Sequence, residues 1–196
     1  VKNHGRNIVI SRRVLVNDDV EVIAGLFANA GAATGRLEAG LVYSLIESNP
    51  TLSDSESMFH ITHGNIQSAA LSSTSLSAAM GQLRTMRTPA GQMADLEAAF
   101  LVVAPELELA AMKLVHEAAA PIKVIASPWL PTGRWYLMAS PAQSPVVALL
   151  YLKVSRGGVT VGPRKTKLQV DGVTLGIRFD VGVVPVGRVG IVKGGL

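Results

Sequence analysis

The sequence predicts an α+β fold, on three observations. Residues 6–16 alternate between apolar and polar side chains, which is typical of a strand. Residues 20–47 carry apolar side chains mostly at the spacing of one helical face. From residue 121 onward, short runs rich in Val, Ile and aromatic residues alternate with Gly and Pro turns. A strand, a long helix, a mixed middle and a β-rich end together favour α+β.

The first predicted strand begins without a turn or a cap. Ile8, Ile10, Val14 and Val16 are its apolar positions. Because no preceding residues have the pattern of an antiparallel hairpin strand, we expect the hairpin partner of this strand to be missing from this chain.

The long helix has clear start and stop signals. Asp18 with Glu21 three residues later has the spacing of a capping box. A residue before proline avoids the helical region, so the helix is predicted to end before Asn49-Pro50. About 28 residues span about 40 Å. The predicted apolar face comprises Ile23, Leu26, Phe27, Ala30, Leu37, Leu41 and Leu45. Gly25, Gly31, Gly35 and Gly40 interrupt this helix, and such small residues allow another element to approach closely.

The middle of the chain predicts loops, two short helices and a buried strand. Residues 50–74 are loop-like, and a helix is predicted from Ser75 to about Arg87. Phe100–Val103 is predicted to be a buried strand, followed by a helix with Pro105 near its first turn and a face formed by Leu107, Ala111, Leu114 and Val115. Later strands are predicted at 123–126, 135–138, 146–154, 167–170 and 173–179, the last two joined by an Asp171-Gly172 turn.

Composition excludes several classes of protein. The chain has no cysteine, so disulfides and thiolate metal sites are excluded. Its longest apolar runs are too short to span a bilayer. Net charge is +4, with basic stretches formed by Lys2, Arg6, Arg12 and Arg13 and by Lys153, Arg156, Arg164, Lys165 and Lys167. Such stretches either attract phosphate without sequence specificity or form a solvated or partner-paired surface.

Few residues indicate chemistry, and no phosphate-binding loop, dinucleotide fingerprint or nucleophile elbow is present. His60 and His63 are the best candidates for a metal or ligand site, but neighbouring Gly64-Asn65 argues against the helical turn that would align them. Hydrogen bonding that orders the loop is the competing interpretation. Trp129 and Trp135 suit burial or interface anchoring. We predict no catalytic, cofactor-binding or metal-binding residue.

Four sequence blocks, in order, resemble the Mu-like major head subunits and related capsid proteins of tailed bacteriophages. The blocks are Ile10–Asp19 ("ISR-x-x-L-x-NDD"), Ser48–Leu52 with Met58–Asn65 ("NPTL…LFH-x-x-HGN"), Phe100–Glu108 ("LLVPPELE") and Pro128–Leu130 with Arg134–Leu137 ("PYL…WYL"). The chain departs from this pattern at Ala104, Ser127 and Ser140, which puts local contacts in question.

The resemblance implies the Hong Kong 97-like capsid fold. In it, residues 1–16 would be a remnant of the extended E-loop, namely its second strand. Residues 17–48 and 151–196 would form a peripheral domain with the spine helix at 20–47, and residues 49–150 an axial domain.

The resemblance also implies a function without an active site. The chain would be a major capsid subunit that assembles with copies of itself into pentamers and hexamers, in the host cytoplasm, and ends in the virion. A scaffold or a prohead protease would act during assembly, packaged DNA would be a non-specific contact, and no membrane would be involved. Arg6, Arg12 and Arg13 are the predicted subunit contacts. The alternatives are a small α/β enzyme or a metal- or ligand-binding protein using His60 and His63, and, less favoured, another phage head component.

Overall fold

A computed structural model describes residues 1–13, 20–152, 159–163 and 172–195, without the side chains of residues 20–23. The chain divides into two compact units. The first contains Val1–Val42 and Leu149–Val184, and the second contains Tyr43–Ala148 and Pro185–Leu196. The sequence-based scheme placed all of 151–196 with the long helix, whereas the last twelve residues belong to the second unit.

An antiparallel sheet forms the first unit. Strand β1 (Lys2–Ser11) pairs along its whole length with β8 (Gly172–Pro185), from Lys2 opposite Val181 to Ser11 opposite Gly172. Strand β1 is therefore paired within this chain, by a strand far along the sequence, and the missing hairpin strand stays a prediction. Strand β7 (Thr160–Pro163) pairs with β8 on the edge that β1 leaves open, and β6 (Val147–Tyr151) also pairs with β8.

Helix α1 runs from Val20 to Glu47, as the capping and proline signals predict. Arg12 and Arg13 are already helical rather than extended, so β1 ends earlier than predicted, and residues 14–16 lie outside the described part. The helix ends where Asn49 adopts a left-handed φ of 50° before Pro50, a conformation that Asn tolerates.

The predicted apolar face of α1 is only partly buried. Leu26, Ala30, Leu37, Leu41 and Leu45 are half-buried, whereas Phe27 remains exposed. In the described chain, nothing lies within 4 Å of where a Cβ would stand on Gly25, Gly31 or Gly35. The close approach predicted from these glycines therefore does not occur within the described residues.

A five-stranded mixed sheet organises the second unit, in the order β2-β9-β5-β3-β4. Its strands are β2 (Ile66–Gln67), β3 (Ala98–Val103), β4 (Lys123–Ala126), β5 (Trp135–Ala139) and β9 (Ile191–Gly194). Strand β9 lies between β5 and β2, which explains why the last residues of the chain join this unit.

Two helices pack on this sheet, α2 (Ser73–Thr85) and α3 (Glu108–Glu117). Ser72 and Ser75 form a reciprocal capping box at the start of α2. Pro105 begins a single 3-10 turn, Pro105–Leu107, directly before α3. The predicted face of α3 is confirmed. The core comprises Leu76, Ala79, Leu83, Met86, Leu101, Val103, Ala111, Ile122, Trp135, Leu137 and Val192, with Leu107, Leu114 and Val115 against it.

Several sequence-based elements fall outside the described residues. The strand at 167–170 and Asp171 of the predicted turn do so, as do all five residues of the second basic stretch. The strand predicted at 173–179 is confirmed as the first half of β8.

Candidate assembly surfaces

The three predicted contact arginines lie on the first unit. Arg6 stands in the middle of β1 opposite Ile177 of β8, and Arg12 and Arg13 follow the end of that strand. All three side chains are exposed. Within the described residues none of them lies within ion-pair distance of an acidic side chain, in contrast to Arg84, which pairs with Asp95 and Glu97. Cations held at a surface without an internal partner are available to another molecule.

His60 and His63 lie in the loop that follows α1, where a 3-10 turn (Ile61–His63) forms. Their rings meet edge to face with centroids 6.0 Å apart. The His63 Nε2 atom lies 3.1 Å from Asp54 Oδ2, and the His60 Nδ1 atom lies 3.4 Å from Glu56 Oε2. Each histidine therefore pairs with a different carboxylate, and the two histidines do not converge on one shared ligand.

Two asparagines hold this loop in place. The Asn49 side chain donates to the Phe59 carbonyl (3.0 Å) and accepts from the Phe59 N–H (2.7 Å). Asn65, which is 1% exposed, donates to the Met58 carbonyl (2.8 Å) and accepts from the His60 N–H (3.2 Å). Buried backbone groups need such partners where no neighbouring strand supplies them.

The histidines themselves add to the same network. His60 caps the 3-10 turn by accepting from the Thr62 N–H, and His63 Nδ1 contacts the Met58 carbonyl. Asp54 is further paired with Arg188 at 3.3 Å. Loss of water contacts raises the pKa of Asp54, but hydrogen bonds from the Glu56 N–H and Arg188 outweigh this, and its pKa lies below the ordinary value. The interpretation of His60 and His63 as loop-ordering residues is confirmed.

The part of the chain that the structure describes contains no cluster of three or more His, Asp or Glu side chains suited to a metal ion. His63 is committed to Asp54 and to a backbone carbonyl, and a structural zinc site needs four convergent ligands. The geometry here offers separate histidine–carboxylate pairs, so the alternative function based on His60 and His63 gains no support.

A cluster of charged groups at the end of α1 was missed by the sequence analysis. The Tyr136 hydroxyl donates to Glu47 at 2.7 Å, with Arg134 Nε at 3.4 Å and Lys193 Nζ at 3.7 Å from the same carboxylate. Lys193 also lies 5.3 Å from the centre of the Phe59 ring. An acid at a helix C-terminus is unfavourable next to the helix dipole, and the two cations offset this cost.

Burial controls the protonation of this cluster. Burial, the hydrogen bond to Glu47 and the charge of Glu47 all raise the pKa of Tyr136 well above its ordinary value. Burial lowers the pKa of Lys193, and Glu47 opposes this effect. The only sequence signal was the buried strand around Trp135–Met138, because Glu47, Arg134 and Lys193 are far apart in the chain.

The two tryptophans have different environments. Trp135 is fully buried and donates from Nε1 to the Ala69 carbonyl, whereas Trp129 is 47% exposed in the loop between β4 and β5. Other exposed large apolar side chains of the second unit are Ile61, Met93, Leu109, Met112 and Val186. Exposed apolar side chains in this number are typical of surfaces that a partner covers.

No helix in the described part of the chain is long and apolar enough to cross a membrane.

Exposed apolar side chains, and arginines without an acidic partner in the described residues, are typical of proteins that associate through their surfaces. The family profile described as "Phage capsid protein" matches residues 1–194, and the chain therefore belongs to this phage capsid protein family. It is a structural capsid subunit. No curated protein matches the chain.

Solved structures of shells resemble the whole chain at low sequence identity. The capsid of cyanophage P-SCSP1u superposes with a TM-score of 0.66 at 12% identity, covering 98% of this chain and 71% of that one. The SrpI encapsulin of Synechococcus elongatus PCC 7942 gives 0.65 at 12% identity, covering 98% and 72%. A virus-like particle from Pyrococcus furiosus gives 0.59 at 16% identity, covering 98% and 75%.

These similarities confirm the α+β class and the Hong Kong 97-like fold that the sequence blocks imply. The phage capsid family is shown by the family profile over residues 1–194, and the Mu-like type stays a prediction. Arg6, Arg12 and Arg13 as subunit contacts also stay a prediction, because no second subunit is present to test them.

Proposed function

We propose that copies of this chain form pentamers and hexamers and that these close into an icosahedral shell enclosing DNA. The family match over residues 1–194 carries the proposal. A shell subunit needs surfaces that complement one another around symmetry axes, and many modest contacts add up through multivalency.

We assign the units to the expected domains as part of the same proposal. The unit containing α1 and β1 would be the peripheral domain with its spine helix, and the unit built on the five-stranded sheet would be the axial domain. The E-loop remnant would then be β1 and the residues that follow it, up to residue 16. The axial domain would extend over Tyr43–Ala148 and take in Pro185–Leu196.

The arginines supply a direct test of subunit contact. Arg12 and Arg13 are exposed and without an acidic partner in the described chain, and the guanidinium group matches carboxylate geometry. Exchanging both for Glu should abolish capsomers, because each site then repels the acid it formerly bound. Reversing Arg84, which is already paired within its own subunit, is the matched control and should leave capsomers intact. Unimpaired capsomers in the Arg12→Glu/Arg13→Glu variant would remove the proposed role.

The remaining proposed partners act during shell assembly and DNA packaging. A scaffold or a prohead protease would act during assembly in the bacterial cytoplasm, and the basic surface would contact packaged DNA without reading its sequence. Purified particles should release bound DNA fragments as the salt concentration rises. Binding that is independent of salt would argue against this contact.

A further inference from the structure

A cleft of about 570 Å³ lies within the first unit, between α1 and the β1–β8 pair. Its apolar walls are formed by Ile8, Leu26, Ala30, Ala33, Leu37, Ile177 and Phe179. Polar groups from β1 and α1 complete the lining, among them His4, Arg6, Asn29 and Thr34. The family assignment makes no use of this cleft, and of the three predicted contact arginines only Arg6 lines it.

The strand register places two of the three basic side chains of β1, His4 and Arg6, on the cleft side of the sheet. His4 is opposite Phe179, and Arg6 is opposite Ile177. Directly opposite residues of an antiparallel pair share one face, so His4, Arg6 and their apolar partners form one continuous surface. The cleft therefore has apolar walls and a cationic, donor-rich side.

Two basic groups of the cleft, His4 Nε2 and the Arg6 guanidinium, lack an acceptor among the described residues, whereas the Thr34 hydroxyl donates to the Ala30 carbonyl. The Nε2 atom of His4 is inaccessible to water and has no hydrogen-bond partner. Among the described side chains, none that is acidic lies within ion-pair distance of Arg6 or lines the cleft. Buried donors are normally paired in native proteins, so such a group indicates that the complete assembly supplies an acceptor.

We propose that this cleft receives an Asp or Glu side chain, with an adjacent apolar residue, from a second copy of this chain. Its carboxylate would accept hydrogen bonds from His4 Nε2 and the Arg6 guanidinium, while the apolar residue packs against the aliphatic walls. The positive charge of the cleft favours an acidic occupant. Because capsid proteins assemble with copies of themselves, we assign this occupant to a second copy, so the inference rests on the proposed function. The chain carries acids next to exposed apolar residues, as at Glu108 beside Leu109, which is 66% exposed.

Cross-linking from the cleft tests this directly, because the chain has no cysteine of its own. In the full natural gene product, Thr34→Cys places one label in the cleft. Ala32→Cys places it on an exposed position about 200° around the same helix, at 100° per residue. Each purified variant is coupled to benzophenone maleimide, assembled, checked by electron microscopy, irradiated, and digested for mass spectrometry.

We expect covalent dimers from position 34, joined to a peptide of the second copy that contains Asp or Glu. The Arg6→Gln change should raise the concentration needed for assembly roughly tenfold and weaken the same cross-link, while leaving the circular dichroism spectrum unchanged.

Three outcomes would overturn the inference: particles that give only intramolecular products from position 34, a cross-linked peptide without an acid, or the same peptide from positions 32 and 34. If the full gene product forms neither particles nor capsomers, the proposed function itself fails. The experiment therefore distinguishes a failure of the cleft proposal from a failure of the proposed capsid function.

Discussion

The hydroxyl of Tyr136 ties the central sheet of the second unit to the end of α1, and its removal should be costly. Tyr136 is 1% exposed and donates to Glu47 at 2.7 Å. Hydrogen bonds to charged groups contribute about 1.5–3 kcal/mol. In Tyr136→Phe, Glu47 keeps Arg134 and Lys193, so its charge stays paired. We therefore expect a loss of about 2 kcal/mol in the free energy of unfolding, rather than the larger cost of an orphaned buried charge.

The same hydroxyl makes stability depend on pH. Because the pKa of Tyr136 is raised in the folded state, the unfolded chain loses this proton first, near the ordinary tyrosine value of about 10. The stabilisation is fully present below that pH and is lost as the pH rises above it. Lys193 has the opposite sign, because its lowered pKa means that its charge penalty is relieved as the pH rises towards the ordinary lysine value. Tyr136→Phe should therefore remove a decline in stability above pH 10.

Urea unfolding at pH 7.5 and pH 10.5, followed by tryptophan fluorescence, measures both effects, since Trp135 is buried beside Tyr136 in β5. Tyr43→Phe is the matched control, because Tyr43 lies on α1 in the same unit and its hydroxyl has no hydrogen bond to any described residue. Its effect should stay below about 0.5 kcal/mol, as is usual away from buried networks. Equal losses in the two variants, or an unchanged pH profile in Tyr136→Phe, would refute the role given to the Glu47 cluster.

Three further changes have defined outcomes in the same unfolding assay. A methyl group at Gly194 would collide with the immobile ring of Trp135, so Gly194→Ala should cost about 1–3 kcal/mol, and a neutral result would contradict the packing. Asn65→Ala should cost about 2–3 kcal/mol and speed amide exchange in the loop, because the His60 N–H loses its acceptor and the Met58 carbonyl keeps only the longer His63 contact; unchanged exchange would count against this. Ala119 holds a φ of 47°, so Ala119→Gly should stabilise by about 0.5–1 kcal/mol, and a loss would contradict the strain.

Local signals predicted most of the elements. The end of helix α1 matched its expected position because an Asn-Pro pair acts through neighbouring residues, whereas Asp18 of the predicted capping pair lies outside the described residues. Strands β3, β4 and β5 were predicted because continuous apolar runs favour buried strands, and the helix predicted from Ser75 to about Arg87 is found as α2, two residues earlier.

Long-range pairing could not be predicted from local signals. The partner of β1 begins more than 160 residues later, so its alternation indicated a strand but not its neighbour. The Glu47 cluster joins three distant segments, and the charges of Arg134 and Lys193 looked like ordinary surface cations in the sequence. Phe27 was predicted to be buried because helical spacing identifies a face but not what covers it.

The assembly state of the full natural gene product tests the central claim most directly. Light scattering combined with negative-stain electron microscopy should show rings, sheets or closed shells built from copies of this chain. A strictly monomeric product that binds zinc or nickel tightly would contradict the account and favour the ligand-binding alternative at His60 and His63.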